Sequence, residues 1–473
     1  MDANPSAEIA APSSTPTLAR WRSIGRALRH RNYRLFFSGQ IVSLCGTFLT
    51  QVAIIWLVYS KTGSGRMLGF TAFAGQIPSF VLGPFAGVWV DRLNRRKLIV
   101  TTQILAMMQS FSLAALVYFC DKPSIVVPGL IALAFIQGLI NAFDMPGRQA
   151  FLVEMVESRD DLANAIALNS TMVHAARLIG PALAGFLLHY AGAAICFSLD
   201  GISYIGVIIA LLAMRIKPRP LRLHSGSVID ELKDGFHYVW NVRPIRSMLL
   251  LMALLSLTGM PAFSVLMPIF ATALARGASG SEVLGILMGA AASGALAGAI
   301  YLASRKSVLG LGGLIAGVSG FFGLALIAFS YSHHLWLSML IVPVAGCSML
   351  ITFASSNTVL QTLTDDEKRG RVMSFFTMAF VGMTPWGNLL VGLSADALVS
   401  KNPIAAWAKF DGAAATLRIA GVISIIGALS FAIKLPSMRR LARPIYMEKG
   451  ILPQAVATGI QDATEVVSGH EQQ

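Results

Sequence analysis

Charge is what this sequence has least of. Only 13% of its 473 residues are charged, while 55% are hydrophobic and the mean hydropathy is +0.67. An average soluble protein carries about 25% charged residues. So few charges cannot cover the apolar surface of a soluble chain this long, and the composition points to a membrane protein. Acids are scarcer than bases, with 23 Asp and Glu against 37 Lys and Arg. The surplus does not indicate nucleic acid as a partner. The bases fall between apolar runs and at the chain ends, with no aromatic-interleaved patch. Cysteine is scarce too, and Cys45, Cys120, Cys196 and Cys347 form neither a CxxC pair nor a Cys/His cluster. That pattern indicates neither a metal site nor a disulfide framework. The chain also lacks a glycine-rich phosphate loop and any nucleophile–base spacing. ATP-driven pumping, enzymatic catalysis and a cofactor are therefore not expected. The start, MDANPSAEIAAPSSTPTLAR, has no basic-then-apolar secretory signal and reads as a disordered tail over 1–30.

What is present is a series of long apolar runs. A helix needs about 20 apolar residues to cross the hydrocarbon core. Twelve runs meet this, near 34–59, 67–90, 98–119, 125–144, 163–190, 193–213, 247–272, 282–303, 308–330, 335–357, 371–396 and 413–434. None alternates as a membrane β-strand would. Basic residues crowd the loops on one side, from Arg20 to Arg34, Arg92 to Lys97, Arg215 to Arg246 and Lys434 to Lys449. The positive-inside rule then puts both termini in the cytoplasm of a bacterial inner membrane. The expected partners are the lipid bilayer and a small-molecule substrate, and a monomer suffices.

The longest basic loop, 215–246, divides the spans six and six. An N-terminal bundle over 31–214 and a C-terminal bundle over 247–436 are expected, followed by a cytoplasmic tail over 437–473. Within the linker, SVIDELKDGFHYVW places Ile229, Leu232, Phe236 and Val239 on one helical face, with Ser227 and Asp230 spaced as a capping box. That predicts an amphipathic helix in the membrane interface. The halves echo one another. GPFAG at Gly83 matches GALAG at Gly294, Pro181 matches Pro385, and Arg34 matches Arg246, at offsets of 211, 204 and 212. Such duplication predicts two similar bundles facing each other across a cleft.

The sequence resembles the major facilitator superfamily over residues 30–436. GVWVDRLNRRK looks like that family's loop motif between the second and third helices, matched by Gly87, Asp91, Arg92, Arg95 and Arg96. Asn94 stands for the usual glycine, a residue type that also accepts left-handed backbone angles. RLIGPALAG resembles the fifth-helix signature of the family's exporters, matched by Gly180, Pro181 and Gly185 and preceded by Arg177. The segments RNYRLFFSGQIVSLCG, NAFDMPGRQAF and DELKDGFHYVW resemble the branch containing the enterobactin exporter and macrolide-efflux-type proteins. The resemblance implies an all-α protein of twelve transmembrane helices in two pseudo-symmetric six-helix bundles. It also implies alternating access and proton-driven export of a small amphipathic molecule. A siderophore is favoured and multidrug or macrolide efflux is the alternative, ahead of an importer or a non-transporting sensor. Ala134 stands where the family's proton-coupled exporters carry an arginine. The motif's aspartate implies a gate, in which Asp91 meets Arg148 and the start of the eleventh helix.

Three further groups of residues invite a role. Polar stripes at helical spacing, Gln40, Ser43, Thr47 and Gln51, then Gln137 and Asn141, then Ser348, Thr352 and Ser355, are expected to line the cavity, because polar faces avoid lipid. The alternative is hydrogen bonding that only joins helices. Asp200 lies inside a span and Arg177 in the preceding one. They are expected either to pair or to serve coupling, with Asp144 and Glu154 as further proton-carrier candidates near the inner mouth. Gly180–Pro181 reads as a hinge or as an ordinary kink. Arg177 and Arg418 together would suit an anionic ligand.

Overall fold

The structure is a computed structural model that describes residues 26–156, 159–215, 228–305, 307–365, 368–398 and 405–448. The two tails beyond them, Ser227 of the expected capping box, the surroundings of Gly87, and the side chains of Asp91, Ile229, Asp230 and Leu232 lie outside the described residues. Every regular element described is helical, as lipid demands, because a helix satisfies its own backbone donors and acceptors. The long helices are α1 (Arg31–Thr62), α2 (Gly65–Arg92), α3 (Arg95–Phe119), α4 (Pro123–Met155), α5 (Arg159–Tyr190) and α6 (Ala193–Ala213). After α7 (Val228–Asn241) come α8 (Arg243–Leu274), α9 (Gly280–Ser304), α10 (Leu311–Ser330), α11 (Leu335–Leu363), α12 (Arg369–Ala397) and α13 (Ala405–Glu448). Eleven are long and apolar enough to span a bilayer, and α2, at 28 residues, is the twelfth.

Local chemistry sets the boundaries. Ser64 caps α2 by accepting from the Met67 N–H, and Asn94 caps α3 by accepting from the Lys97 N–H. Asn94 has φ −67°. It replaces the motif's glycine as a capping residue, and the left-handed geometry expected of it is not adopted. Gly63 does adopt it, at φ 58°, closing α1. Two irregularities were not expected. At Thr258 α8 breaks, where Gly259 and Pro261 follow and the Thr258 hydroxyl returns to the Leu254 carbonyl. In α12 a π-helical turn runs over Met378–Gly382 just before Pro385. The linker helix α7 is present, but its face is split. Val239 is buried and Gly235 rests on Arg371 and Phe375, while Phe236 stacks on Trp240, meets the Phe375 ring at a tilt and stays largely exposed.

The main packing contacts among α1–α6 recur among α8–α13. The pairs α1–α5, α1–α6, α2–α4, α3–α4 and α3–α6 correspond to α8–α12, α8–α13, α9–α11, α10–α11 and α10–α13. The two most extensive contacts between halves, α2–α12 and α5–α9, exchange under the same correspondence. Gly180 nests against Cys45, Phe48 and Leu49 of α1, and Gly387 nests against Leu257 and Pro261 of α8. The GPFAG echo is not part of this symmetry. Gly294 packs on Pro343 of α11, whereas Gly83 faces open space.

Backbone-to-backbone packing of this kind predicts opposite signs for two glycine substitutions. A Cβ at Gly346 would run into the Ala291 carbonyl, while Gly317 has nothing within 4 Å. Gly346→Val should cost about 3 kcal/mol or more. Gly317→Ala should gain about 0.5–1 kcal/mol from helix propensity. Thermal unfolding of the purified protein in detergent reads both.

Candidate functional site

The ends of the helices differ. One end, called here the basic end, carries Arg31, Arg92, Arg95, Arg243, Arg305 and Arg369; α2 and α9 begin at the other. At that other end the two halves touch through glycine. Gly65 and Gly69 of α2 lie on Gly392 of α12, and Gly185 of α5 lies on Gly285 and Ser281 of α9. Phe73 meets Trp386 edge to face, and Gly280 lies beneath the Trp56 ring. Asp396, at the end of α12, caps α2 from the opposite half. Its carboxylate accepts from the Ser64 hydroxyl at 2.5 Å, the Gly65 N–H at 2.7 Å and the Arg66 N–H at 3.0 Å. A carboxylate at a helix N-terminus is favoured by orphan donors and dipole together.

Toward the basic end the same faces separate. Along one stripe of α5, Ala184, Pro181 and Gly180 are buried, but Arg177, Ser170 and Ile166 are exposed. On α9, Ser281 and Gly285 are buried, while Leu296 and Ile300 are exposed. On α12, Gly392 and Asn388 are buried and Val381 and Met378 are exposed. The helices thus enclose a crevice sealed at one end and open at the basic end. Arg177 lies where the seal stops, with its guanidinium 5.4 Å from the centroid of the Phe48 ring. Gln51, one turn further along α1, is also exposed. Half-buried Gln137 donates to Asn141 at 3.1 Å on α4. The π turn of α12 holds Gly382 against Phe80.

Most of the expected lining residues do not reach this crevice. Gln40 and Ser43 are 1% and 0% exposed, and Thr47 meets the Tyr204 hydroxyl of α6 at 3.1 Å. Ser348, Thr352 and Ser355 are buried as well, and Thr352 lies 3.3 Å from Ser319 of α10. Those stripes face bundle interiors, because a polar face escapes lipid as well against a neighbouring helix as against water. Among the expected lining residues, Thr47, Gln51, Gln137 and Asn141 keep surface accessible.

The charges are also sorted differently. Asp200 and Arg177 do not pair. Asp200 accepts from Ser110 of α3 at 2.7 Å and lies against Gly46 of α1, while Cys45 and Phe48 on the opposite face of α1 meet α5. The Thr50 hydroxyl of α1 also faces this carboxyl, but Oδ1 of Asp200, which is 1% exposed, accepts no hydrogen bond of good geometry among the described residues. Tyr204 stands close enough to Asp200, Arg148 and Asp144 to feel all three charges. Arg148 is tied to Asp144, one turn back, at 2.5 Å, and Thr102 and Gln103 donate to the same carboxylate at 2.7 and 2.9 Å. Glu154 pairs with Arg95 at 2.7 Å, and Arg96 donates to the Leu211 and Leu212 carbonyls that end α6. These loop-motif bases thus fasten helices together. Arg92 is exposed, and the Asp91 contact expected with Arg148 lies outside the described residues. Arg418 lies over Tyr331 at the far end of α10, its guanidinium 5.0 Å from the ring centroid, while Arg177 lies over Phe48 of α1. Sequence reading missed Asp396, Ser110 and Tyr204. Their partners lie 332, 90 and 157 residues away, beyond any local spacing signal.

Residues 25–445 match the family described as transmembrane secretion effector. The chain is 24% identical over 363 residues to a staphyloferrin A transporter of Staphylococcus aureus, covering 77% of this chain and 89% of that protein. It is 24% identical over 378 residues to the multidrug efflux pump Tap of Mycobacterium tuberculosis, covering 77% and 87%. To macrolide efflux protein A of Streptococcus pyogenes it is 24% identical, over 49% of this chain and 58% of that protein. Among solved structures, the nucleoside transporter NupG superposes with a TM-score of 0.63 at 12% identity, over 85% of this chain and 99% of that one. A bacterial homolog of the human lysosomal transporter Spinster, inward-facing and unoccupied, gives 0.64 at 16%, over 89% and 98%.

The Asp396 cap makes the seal testable. Its three charge-assisted hydrogen bonds together are worth about 3 kcal/mol, enough to move a two-state population by about 100-fold. Asp396→Ala should therefore open the sealed end more often. A cysteine at Ser281, only 3% exposed, should react with a membrane-impermeant maleimide several-fold faster in that variant. An unchanged rate would remove Asp396 from the seal.

Proposed function

The chain belongs to the transmembrane secretion effector family of the major facilitator superfamily, and from that membership we propose that it exports a small amphipathic molecule from the bacterial cytoplasm, driven by protons moving inward. Membership itself makes it a multi-pass membrane transporter of the efflux type. The observation that carries the finer reading is the crevice, closed by glycine contacts at one end and open at the basic end. The positive-inside rule assigns the basic end, and with it both termini, to the cytoplasm of the inner membrane. The crevice is then the cytoplasm-open state in which an exporter loads.

Export requires the seal to pass from one end to the other. Pro181 supports that motion. It lacks an N–H, so the Arg177 carbonyl has no i+4 donor and α5 can flex where the seal stops. Asp91, at the basic end of α2, closes the cytoplasmic side in the opposite state, in the resemblance-based role given to its motif. Asp200 is the proton carrier. Its Oδ1 is buried and accepts no hydrogen bond of good geometry among the described residues, and Tyr204 lies within electrostatic reach of both Asp200 and the Asp144–Arg148 pair nearer the cytoplasm. A siderophore is the favoured cargo, given the staphyloferrin A transporter among the relatives. The macrolide and multidrug pumps support the alternative of drug efflux.

Inside-out vesicles from cells making the protein should accumulate substrate only while a pH gradient is imposed. Deleting the gene should lower secreted siderophore; unchanged secretion with raised drug sensitivity would favour the alternative. Asp200→Asn should leave the protein inserted and remove the pH dependence of uptake. Retained pH dependence would reduce Asp200 to a structural role. Asp91→Asn should cut transport at least about tenfold, as loss of a charge-assisted hydrogen bond does, and full transport would exclude the gate.

A further inference from the structure

Arg177 is the charge that the transport cycle described above leaves unexplained. It lies 18 residues into α5, about 27 Å from the basic end of that helix. Its side chain is nevertheless exposed. Deep placement with open access is what the roof of a crevice provides. The guanidinium rests on the Phe48 ring, and exposed Gln51 lies one turn beyond. Below it the walls are apolar, with Ile166 on one side and Leu296 and Ile300 on the other.

No carboxylate of the protein reaches this point among the described residues. Asp200 lies on the other face of α1, hydrogen-bonded to Ser110. Asp144 and Glu154 are held by Arg148 and Arg95. Asp121, Asp161, Glu282, Asp365, Asp396 and Asp411 lie at helix ends. An open crevice hydrates the guanidinium. When the crevice closes at the basic end that water is lost, and a cation without a counter-charge in a low-dielectric interior is costly. Something must bring the anion in.

We propose that Arg177 binds the anionic group of the substrate, and that the cargo is therefore an amphipathic organic anion whose carboxylate or phenolate pairs with the guanidinium while its apolar body lies along the crevice. This rests on the efflux reading and narrows it. The planar fork of arginine accepts a carboxylate through two parallel hydrogen bonds, and its opposite face stays on Phe48. Gln51 offers a further donor. A neutral or cationic molecule would leave Arg177 unpaired at closure, so selection falls on charge first and on shape second.

The test expresses the full chain, Arg177→Gln and Arg177→Lys in a bacterial host lacking its own pumps. The probes are two amphipathic anions, fusidate and deoxycholate, and two cations, erythromycin and tetraphenylphosphonium. The full chain should raise tolerance to the anions. Arg177→Gln should lower that gain about ten- to hundredfold in extrusion rate, the effect of losing a hydrogen bond to a charged group, and Arg177→Lys should retain part of it. Tolerance confined to the cations, or anion tolerance unaltered by Arg177→Gln, would overturn the proposal while leaving the efflux reading intact. Tolerance to none of the four would count against efflux itself, and this assignment would fall with it. A second measurement needs no variant. Fusidate should protect Arg177 of the purified protein from phenylglyoxal, followed by peptide mass, and equal modification with and without fusidate would also overturn it.

Discussion

Lipid tolerates no unpartnered polar group, and that constraint sorts every residue of this chain. Backbone groups are satisfied by forming helices alone. Polar side chains are pushed to one of two refuges, the interior of a six-helix bundle or the wet crevice between bundles. The first bundle takes Gln40, Ser43, Asp144, Asp200 and Tyr204, and the second takes Ser348, Thr352 and Ser355. The crevice takes Arg177 and Gln51. Because both refuges answer the same demand, a polar stripe in the sequence names the demand and not the refuge.

Closure at one end depends on the absence of side chains. Helices approach until backbone meets backbone at Gly69–Gly392 and Gly185–Gly285, so dispersion acts over a broad surface with no side-chain entropy to lose. Such contacts break without leaving polar groups unpartnered, which suits a seal that must open. The Asp396 cap adds the directional element. It binds only when α2 and α12 are aligned, and it satisfies donors at the start of α2 that water would otherwise serve. A seal of this kind is firm enough to hold one state and weak enough to leave.

The fold was legible because its signals are long. Twelve apolar runs and a lopsided distribution of bases survive any uncertainty at their edges, and the α7 linker showed as an amphipathic pattern. The site was legible only in part. Arg177, Gly180, Pro181 and Gly185 were singled out as one motif, and they do mark the place where the crevice ends. Their separate jobs were hidden, because the partner of Gly180 is α1 and that of Gly185 is α9. The loop motif was recognised as a unit, yet Arg95 and Arg96 serve Glu154 and the end of α6. Asp396 gave no signal, since its value lies in three donors at the start of α2, in the other half of the sequence.

Arg177 and Asp200 were expected to meet because adjacent helices carry them, and their separation is informative. Helix α1 stands between them. Phe48 lies under the guanidinium on one face, and Gly46 leaves room for the Asp200 carboxyl on the other. In the proposed cycle, a ligand anion paired with Arg177 would press on Phe48, and a proton neutralising Asp200 would alter what lies against Gly46. Both events would then act on one rigid rod within a single turn of each other. Coupling between cargo and proton then needs no direct contact and no competition for a shared carboxylate. It needs only that α1 have two positions, each favoured by one pairing of occupied sites, which is the reciprocal linkage any coupled carrier must satisfy.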